Sequence, residues 1–236
     1  MAKRFDSEGK YLGGIGLNIR KWLGLFFKTL ALGGIVNLLG SFFINHSEYA
    51  QALAPLDILD LSGLLVWYIL YGFLFSIISQ AGFFAYLFVN QFGLGIFRSF
   101  WPMVQIALIA FAAFDLVYFP YIGMDGEMSV WLLILIVLAI VVYGVIVAAV
   151  KVKETHPRAF IPTLFLMVVM SAIEWVPGLR TGDVTYAAAM IITLLACNTY
   201  QILMLHRLNE GVKGNRNIHG EQLAKKSVKV SKTPTK

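Results

Sequence analysis

Charged residues and cysteine are both scarce in this chain of 236 residues. Asp, Glu, Lys and Arg together make up only 14% of it, whereas a soluble domain has about 25%. Apolar residue types make up 58%, and the mean hydropathy is +0.75. This balance excludes a soluble globular protein and indicates an integral membrane protein. The single cysteine, Cys197, excludes an intrachain disulfide.

Catalytic and metal-binding motifs are missing as well. The sequence has no His-Glu-x-x-His, no Gly-x-Ser-x-Gly and no paired aspartates. The four histidines fall in predicted loops or tails: His46, His156, His206 and His219. An enzyme in the membrane would need a nucleophile and a base, or metal ligands, at matching depth. We therefore expect no catalytic residue, no metal site and no cofactor.

What the chain does contain is six apolar runs, each long enough to cross a bilayer. A hydrocarbon core of about 30 Å needs roughly 20 helical residues. The runs are residues 22–44, 61–83, 101–121, 130–150, 160–176 and 184–204. An open strand would leave backbone groups unpaired in lipid, so these runs are predicted to be helices. The sequence predicts an all-α integral membrane protein of the cell membrane, with a six-helix transmembrane domain at residues 22–208.

The positive charges predict how these spans are oriented. All but one of the 19 Lys and Arg residues fall on the same side of the six predicted spans, and Arg180 is the exception. Because Lys and Arg collect on the cytoplasmic side, both termini are predicted to be cytoplasmic. The N-terminal segment is residues 1–21. Residues 209–236 form a basic tail with few apolar residues, which predicts disorder and contact with anionic lipids but no nucleic acid partner.

The first apolar run has one alternative interpretation. A basic start, an apolar run and Ala50-Gln51-Ala52 match the outline of a cleaved signal peptide. However, the run at residues 23–44 is much longer than the roughly 7–15 residues of a signal core. Lys28 can extend its ammonium group to the inner interface from the first turns of a helix. We therefore favour a transmembrane helix.

A stripe of small and polar residues in the second span is typical of helix packing. Gly72, Ser76 and Gln80 follow one another at intervals of four residues, so they share one helix face. Arg98 is predicted to lie at the cytoplasmic headgroup level, in a turn that Gly93 and Gly95 loosen. The aromatic residues near this turn are expected to form a belt at the inner interface: Phe83, Phe84, Tyr86, Phe88, Phe92, Phe97, Phe100 and Trp101. The candidates for contact with a partner's membrane helices are Gly72, Ser76, Gln80 and Arg98.

A second set of candidates is polar and lies deeper in the membrane. Gln105 and Asp115 share a face of the third span, and Glu174 of the fifth span is predicted at nearly the same depth as Asp115. An ionisable residue within a bilayer is expected to face protein or a water cavity. We therefore hypothesise an intramembrane polar cluster in the outer leaflet in which Asp115, Glu174 and Arg180 meet, with Gln105, on the same face as Asp115, as a further candidate. The alternative is that Glu174 reaches the outer headgroups unaided.

Three sequence strings also carry a family resemblance. They are Ser-Gln-Ala-Gly-Phe-Phe-Ala-Tyr-Leu at 79–87, Phe-Gly-Leu-Gly-Ile-Phe-Arg at 92–98 and Phe-Asp-Leu-Val-Tyr-Phe at 114–119. Over residues 22–208 the chain resembles the KinB-signalling pathway activation proteins, which are integral membrane proteins of spore-forming Firmicutes. The resemblance implies a positive effector of a membrane sensor histidine kinase that feeds the sporulation phosphorelay.

Two functions remain open from the residues. Six spans with short loops leave the membrane-embedded surface as the place for a partner, which favours an effector that acts by helix–helix contact. The alternative is an ion-coupled, proton-coupled or small-molecule transporter that uses Asp115 and Glu174. No inverted repeat or pair of broken helices supports the transporter.

Overall fold

The computed structural model describes residues 13–53, 58–123 and 129–206, with side chains from residue 20 onward. Every regular element in these ranges is a helix. The chain divides into two compact units, Phe27–Leu203 and the terminal segments Met1–Phe26 with Met204–Lys236. The unit formed by the terminal segments is described only over residues 13–26 and 204–206, which are helical. The predictions for most of the N-terminal segment and for the tail at 209–236 fall outside the described residues.

The first half of the chain folds into four helices. They are α1 (Gly13–Ile44), α2 (His46–Leu53), α3 (Ile58–Phe97) and α4 (Trp101–Gly123). The short helix α2 lies where the sequence predicted only a loop. The Tyr49 hydroxyl of α2 shares a hydrogen bond with Ser41 of α1 at 2.7 Å, and the Tyr68 hydroxyl of α3 donates to Glu48 of α2 at 2.7 Å. These bonds hold α2 against both of its neighbours.

The second half contains α5 (Val130–Glu154), α6 (Phe160–Phe165), a π-helical turn (Leu166–Met170), α7 (Ser171–Leu179) and α8 (described over Val184–His206). Asp183 caps α8, because its carboxylate accepts the N–H groups of Thr185 at 2.8 Å and Tyr186 at 3.1 Å. The Thr185 hydroxyl, together with these N–H groups, holds the pKa of the Asp183 carboxyl below its usual range.

Five helical stretches are long and apolar enough to cross a membrane: Arg20–Ile44, Ile58–Ile122, Val130–Glu154, Pro157–Leu179 and Val184–His206. Large apolar side chains cover the outside, and Phe43, Leu59 and Trp131 are 79% to 85% exposed. Such a surface suits lipid rather than water. The prediction of an all-α protein is confirmed for the described residues, and five of their helical stretches have the length and hydropathy that a membrane span needs. The count of six spans stays a prediction, because the second and third predicted spans lie within the single stretch Ile58–Ile122.

The turn between those two predicted spans is short, because α3 continues well past residue 83, where the second predicted span ends. Helix α3 has 40 residues, about 60 Å, and it continues through Gly93 and Gly95. The chain reverses at Arg98, which has a φ of 49° and begins the 3₁₀ turn Arg98–Phe100. The prediction that the two glycines loosen the turn was wrong. Gly93 instead makes room for the ring of Trp101, which a Cβ at that position would overlap.

The aromatic residues near the turn divide into two groups rather than forming one interfacial belt. Phe83, Tyr86 and Trp101 are buried, and Phe165 of α6 packs against Tyr86 and Trp101 with ring centroids 6.4 and 6.1 Å away. The remaining residues of the predicted belt are exposed: Phe84, Phe88, Phe92, Phe97 and Phe100. Composition cannot separate the two groups, because the difference depends on which face of α3 and α4 meets α6.

Many of the most deeply buried apolar residues of the larger unit belong to the segment from α6 to α8. Leu166, Met167 and Val168 of the π-helical turn are fully buried, as are Met190 and Leu194 of α8. Helix α5 packs on α6 and runs through Glu154, four residues past the predicted span. Lys151, expected in a loop, is buried there and donates from Nζ to the Ile202 carbonyl oxygen at 2.6 Å.

Candidate functional site

A network of buried polar side chains joins α3, α7 and α8. Asn198 of α8 is at its centre, because its Nδ2 donates to Glu174 Oε2 at 2.9 Å and to Ser171 Oγ at 3.0 Å. Its Oδ1 accepts the hydroxyl of Ser79, on α3, at 2.7 Å. Gln201, one turn further along α8, donates to Ser79 Oγ at 2.8 Å. We call Ser79, Ser171, Glu174, Asn198 and Gln201 the polar core.

Glu174 fits into this core only because α3 carries a glycine opposite it. A Cβ at Gly82 would overlap Oε1 of the Glu174 carboxyl group. That oxygen is buried and has no hydrogen-bond partner among the described residues, whereas Oε2 has Asn198. An ionisable group placed deep in a membrane protein costs about 2.5–3.5 kcal/mol on insertion scales, so it is a functional-site candidate by default. Gly82 lies in the first of the three strings that carry the resemblance.

A second set of polar contacts joins α1 to α3. Ser76 donates to the carbonyl oxygen of Thr29 at 2.9 Å, and Gln80 donates from Nε2 to Ser76 Oγ at 3.2 Å. A Cβ at Gly72 would overlap the carbonyl oxygen of Gly33, so the two helices touch at backbone distance. Small residues allow this kind of close approach in membranes.

The stripe predicted to contact a partner is therefore occupied by α1 of the same chain. Gly72, Ser76 and Gln80 are all buried, with Gln80 only 4% exposed. The spacing correctly indicated a helix-packing face, but it could not say whose helix packs there. Of the four candidate partner contacts, only Arg98 is exposed.

The hairpin formed by α3 and α4 is held by an asparagine that the sequence reasoning missed. Asn90 Oδ1 accepts the indole N–H of Trp101 at 2.9 Å and Nε2 of Gln105 at 3.3 Å. Gln105 is fully buried, and its own Oε1 has no partner in the described part of the chain. A signal was present in the sequence, because Asn90 and Gln105 are both amides in apolar runs, one on each side of the turn.

The polar cluster predicted in the outer leaflet is not formed. Asp115, Glu174 and Arg180 are all described, and no ion pair or hydrogen bond joins any two of them. Glu174 instead points at Asn198 and Gly82. Arg180 is exposed, and its backbone N–H bonds to the Val176 carbonyl at 3.2 Å. Depth alone suggested a pairing, but a π-helical turn precedes α7 and changes the face that Glu174 presents.

Asp115 is the contrasting case. It is half-buried on α4, and among the described residues its side chain makes no ion pair and no hydrogen bond. The Glu174 carboxyl lies inside the protein with a donor, whereas the Asp115 carboxyl lies at the edge of an apolar helix face without one.

The chemistry of the polar core is that of a structural and conformational element. Over the ranges the structure describes, no group of three or more His, Cys, Asp or Glu residues is placed to hold a metal ion. Cys197 is buried, with its Sγ 3.8 Å from the Thr29 carbonyl oxygen. The fold and these contacts define a helical membrane protein whose buried polar groups join its own helices.

Comparison with known proteins identifies the family. Residues 33–208 match the model of a family described as KinB-signalling pathway activation in sporulation. The chain is also 38% identical, over 187 residues, to the KinB-signaling pathway activation protein of Bacillus subtilis (strain 168), covering 76% of this chain and 92% of that protein. No solved structure matches. The chain belongs to the KinB-signalling pathway activation family, which is a family of signalling activators rather than of enzymes, and the resemblance found in the sequence is confirmed.

Proposed function

We propose that this protein is a membrane-embedded positive effector of KinB-type signalling in sporulation. The observation that supports the proposal most directly is the family match over residues 33–208, which includes α2 to α7 and all of α8 that the structure describes. The partner that follows from it is a membrane sensor histidine kinase that feeds the sporulation phosphorelay.

The proposed topology has six membrane spans with both termini in the cytoplasm. Helix α3 alone is about 60 Å long, roughly twice the hydrocarbon core, and α4 returns from the reversal at Arg98. The stretch Ile58–Ile122 would then cross the bilayer twice, once in each direction. The one-sided distribution of Lys and Arg supports cytoplasmic termini.

The proposed mechanism is contact between helices inside the bilayer. The described helices leave little mass outside the apolar stretches, so a partner would meet mainly the lipid-facing surface. A contact of this kind activates a kinase if it is made more favourably with the signalling state than with the resting state. The polar core would keep the helices that present this surface in a fixed arrangement.

The transporter alternative gains no support from the positions of the two acids. It required Asp115 and Glu174 to serve one pathway, and they make no contact with each other. The Glu174 carboxyl is packed against Gly82 and bound by Asn198. The positions of the two acids therefore favour the effector over the transporter.

Deleting the gene in its sporulating host and counting heat-resistant spores tests the function. We expect fewer spores, because kinase input to the phosphorelay falls, and recovery when the wild-type gene is returned. The control is the same deletion in a strain that already lacks the KinB-type kinase, where it should cause no further loss. An equal loss in both strains would show that the protein acts elsewhere.

A further inference from the structure

Helix α4 carries an exposed stripe with the spacing of a helix-packing seam. Its residues recur at alternating intervals of three and four: Leu108, Phe111, Asp115, Tyr118 and Ile122. This is the heptad spacing with which one helix packs along another. We call these five residues the α4 seam.

Most of the α4 seam lies on the exposed side of the described structure. Its four apolar members are 37% to 61% exposed, and the buried face of α4 is formed by different residues, Trp101, Gln105, Ala112 and Leu116. Exposure to lipid would account for the apolar members alone. It does not account for Asp115, which lies in the middle of the stripe.

Asp115 differs from the buried polar residues that join the helices of the larger unit. Ser76, Ser79 and Asn198 are hydrogen-bonded within the chain, whereas the Asp115 carboxyl has no such partner among the described residues. By helical spacing Phe111 and Tyr118 flank Asp115 on the same face of α4, and in a bilayer a carboxyl group on such a face would lack the donors that water provides. A helix that packs on the seam and carries a donor at this depth would supply them.

We propose that the α4 seam is the docking surface for a transmembrane helix of the sensor kinase, and that this helix presents an Arg, Lys or amide donor to Asp115. The inference rests on the proposed function and adds to it the surface and the chemistry of the partner. Charge argues against a second copy of this chain as the occupant. Two α4 seams packed in parallel on each other would bring two Asp115 carboxyl groups together in an apolar medium.

Photo-crosslinking in sporulating cells tests the surface. A photoreactive benzoylphenylalanine replaces Tyr118 on the seam or, as the control, Ile106, which lies on the far side of α4. After irradiation the tagged protein is purified and its adducts are identified by mass spectrometry. We expect a kinase adduct from position 118 and at least about fivefold less from position 106.

Substitutions then test the chemistry. Asp115→Leu should lower the adduct from position 118 about fivefold or more, and Asp115→Asn should retain part of it, because an amide still accepts a hydrogen bond. The matched pair for packing is Ile122→Ala against Ile106→Ala, since both side chains are 53% exposed on α4 and only Ile122 lies on the seam. Membrane abundance, measured for every variant, should not change.

Three results would overturn the proposal: an adduct with a second copy of this chain only, no protein adduct at all, or a kinase adduct that Asp115→Leu leaves undiminished. The failure of the proposed function is a separate result. In that case deletion of the gene would not lower kinase-dependent sporulation. If deletion does lower it and position 118 captures no kinase, only the docking surface is wrong.

Discussion

Two acids in this protein, predicted at nearly the same depth in the membrane, have opposite environments. Glu174 is buried where α3, α7 and α8 meet, with one carboxyl oxygen bonded to Asn198 and the other packed on Gly82. Asp115 is half-buried on α4, and its carboxyl group hydrogen-bonds to none of the described residues. The difference indicates that an acid in an apolar helix can lie either in a protein's own core, with a donor beside it, or on its outer face without one.

The largest effect on stability is expected where the polar core has no spare room. Gly82→Ala places a methyl group on the Glu174 carboxyl, so we expect a loss of about 1–3 kcal/mol from overpacking. Thermal midpoints in detergent, followed by size-exclusion chromatography, would measure it. The matched control is Gly95→Ala, also on α3, where nothing lies within 4 Å and the change should be neutral or stabilising. Combining Gly82→Ala with Glu174→Ala should restore part of the loss, and an unchanged loss would mean that the clash is elsewhere.

The next effect concerns the centre of the polar core. Asn198→Leu removes the donor to Glu174 and Ser171 of α7 and the acceptor for Ser79 of α3, so three buried groups on two helices lose a partner at once. We expect a loss of about 1–3 kcal/mol by the same thermal assay.

The comparison variant for Asn198→Leu is Thr199→Val. The Thr199 hydroxyl bonds to the Leu195 carbonyl of its own helix at 2.7 Å and, at an exposed position, to the Tyr143 hydroxyl of α5 at 3.0 Å, so its loss should cost less than that of the buried Asn198. If Asn198→Leu were no more harmful than Thr199→Val, the polar core would not be what holds these helices together.

A smaller effect is expected at the hairpin. Trp101→Phe keeps an aromatic ring against Gly93 but removes the indole N–H that Asn90 accepts. Hydrogen bonds between membrane helices average about 0.6 kcal/mol and reach about 1.7, which bounds the expected loss. Trp131→Phe is the control, because that indole is 79% exposed on α5. Equal thermal midpoints for the two variants would mean that the hydrogen bond from Trp101 to Asn90 does not stabilise the hairpin.

The smallest effect on stability is expected at Asp115, where the comparison is sharpest. Asp115→Leu breaks no bond to a described residue, so stability should stay within about 0.5 kcal/mol of the wild type or rise. Sporulation should nevertheless fall, because the α4 seam loses its polar contact. Glu174→Leu should lower both. If Asp115→Leu unfolded the protein, the acid would have an internal role and the contrast between the two regions would disappear.

Local patterns in the sequence predicted much of the fold. The apolar runs gave helices at about the right places, and the intervals of four residues in Gly72, Ser76 and Gln80 indicated a packing face. The strings at 79–87, 92–98 and 114–119 led to the correct family. These features depend on composition and on helix periodicity, which a chain carries without any tertiary contact.

The candidate site was less predictable. The proposed pairing of Asp115, Glu174 and Arg180 assumed straight helices at 100° per residue, and the π-helical turn Leu166–Met170 breaks that assumption. Asn90 drew no attention because a single amide in an apolar run has no partner until the chain folds back. Gly82 was visible in the sequence, yet nothing local links it to Glu174, which is far along the chain.

The sequence by itself determined that this is an apolar, helical protein of the KinB-signalling pathway activation family, because hydropathy, periodicity and family strings are properties of the linear chain. Only the tertiary structure decided which helix faces are buried against other helices of the chain and which stay exposed. Polar groups in an apolar medium must find partners, and which partner each one finds depends on how the helices cross. For this reason the stripe of Gly72, Ser76 and Gln80 packs against α1, and Glu174 bonds to Asn198. The α4 seam with Asp115 stays on the surface.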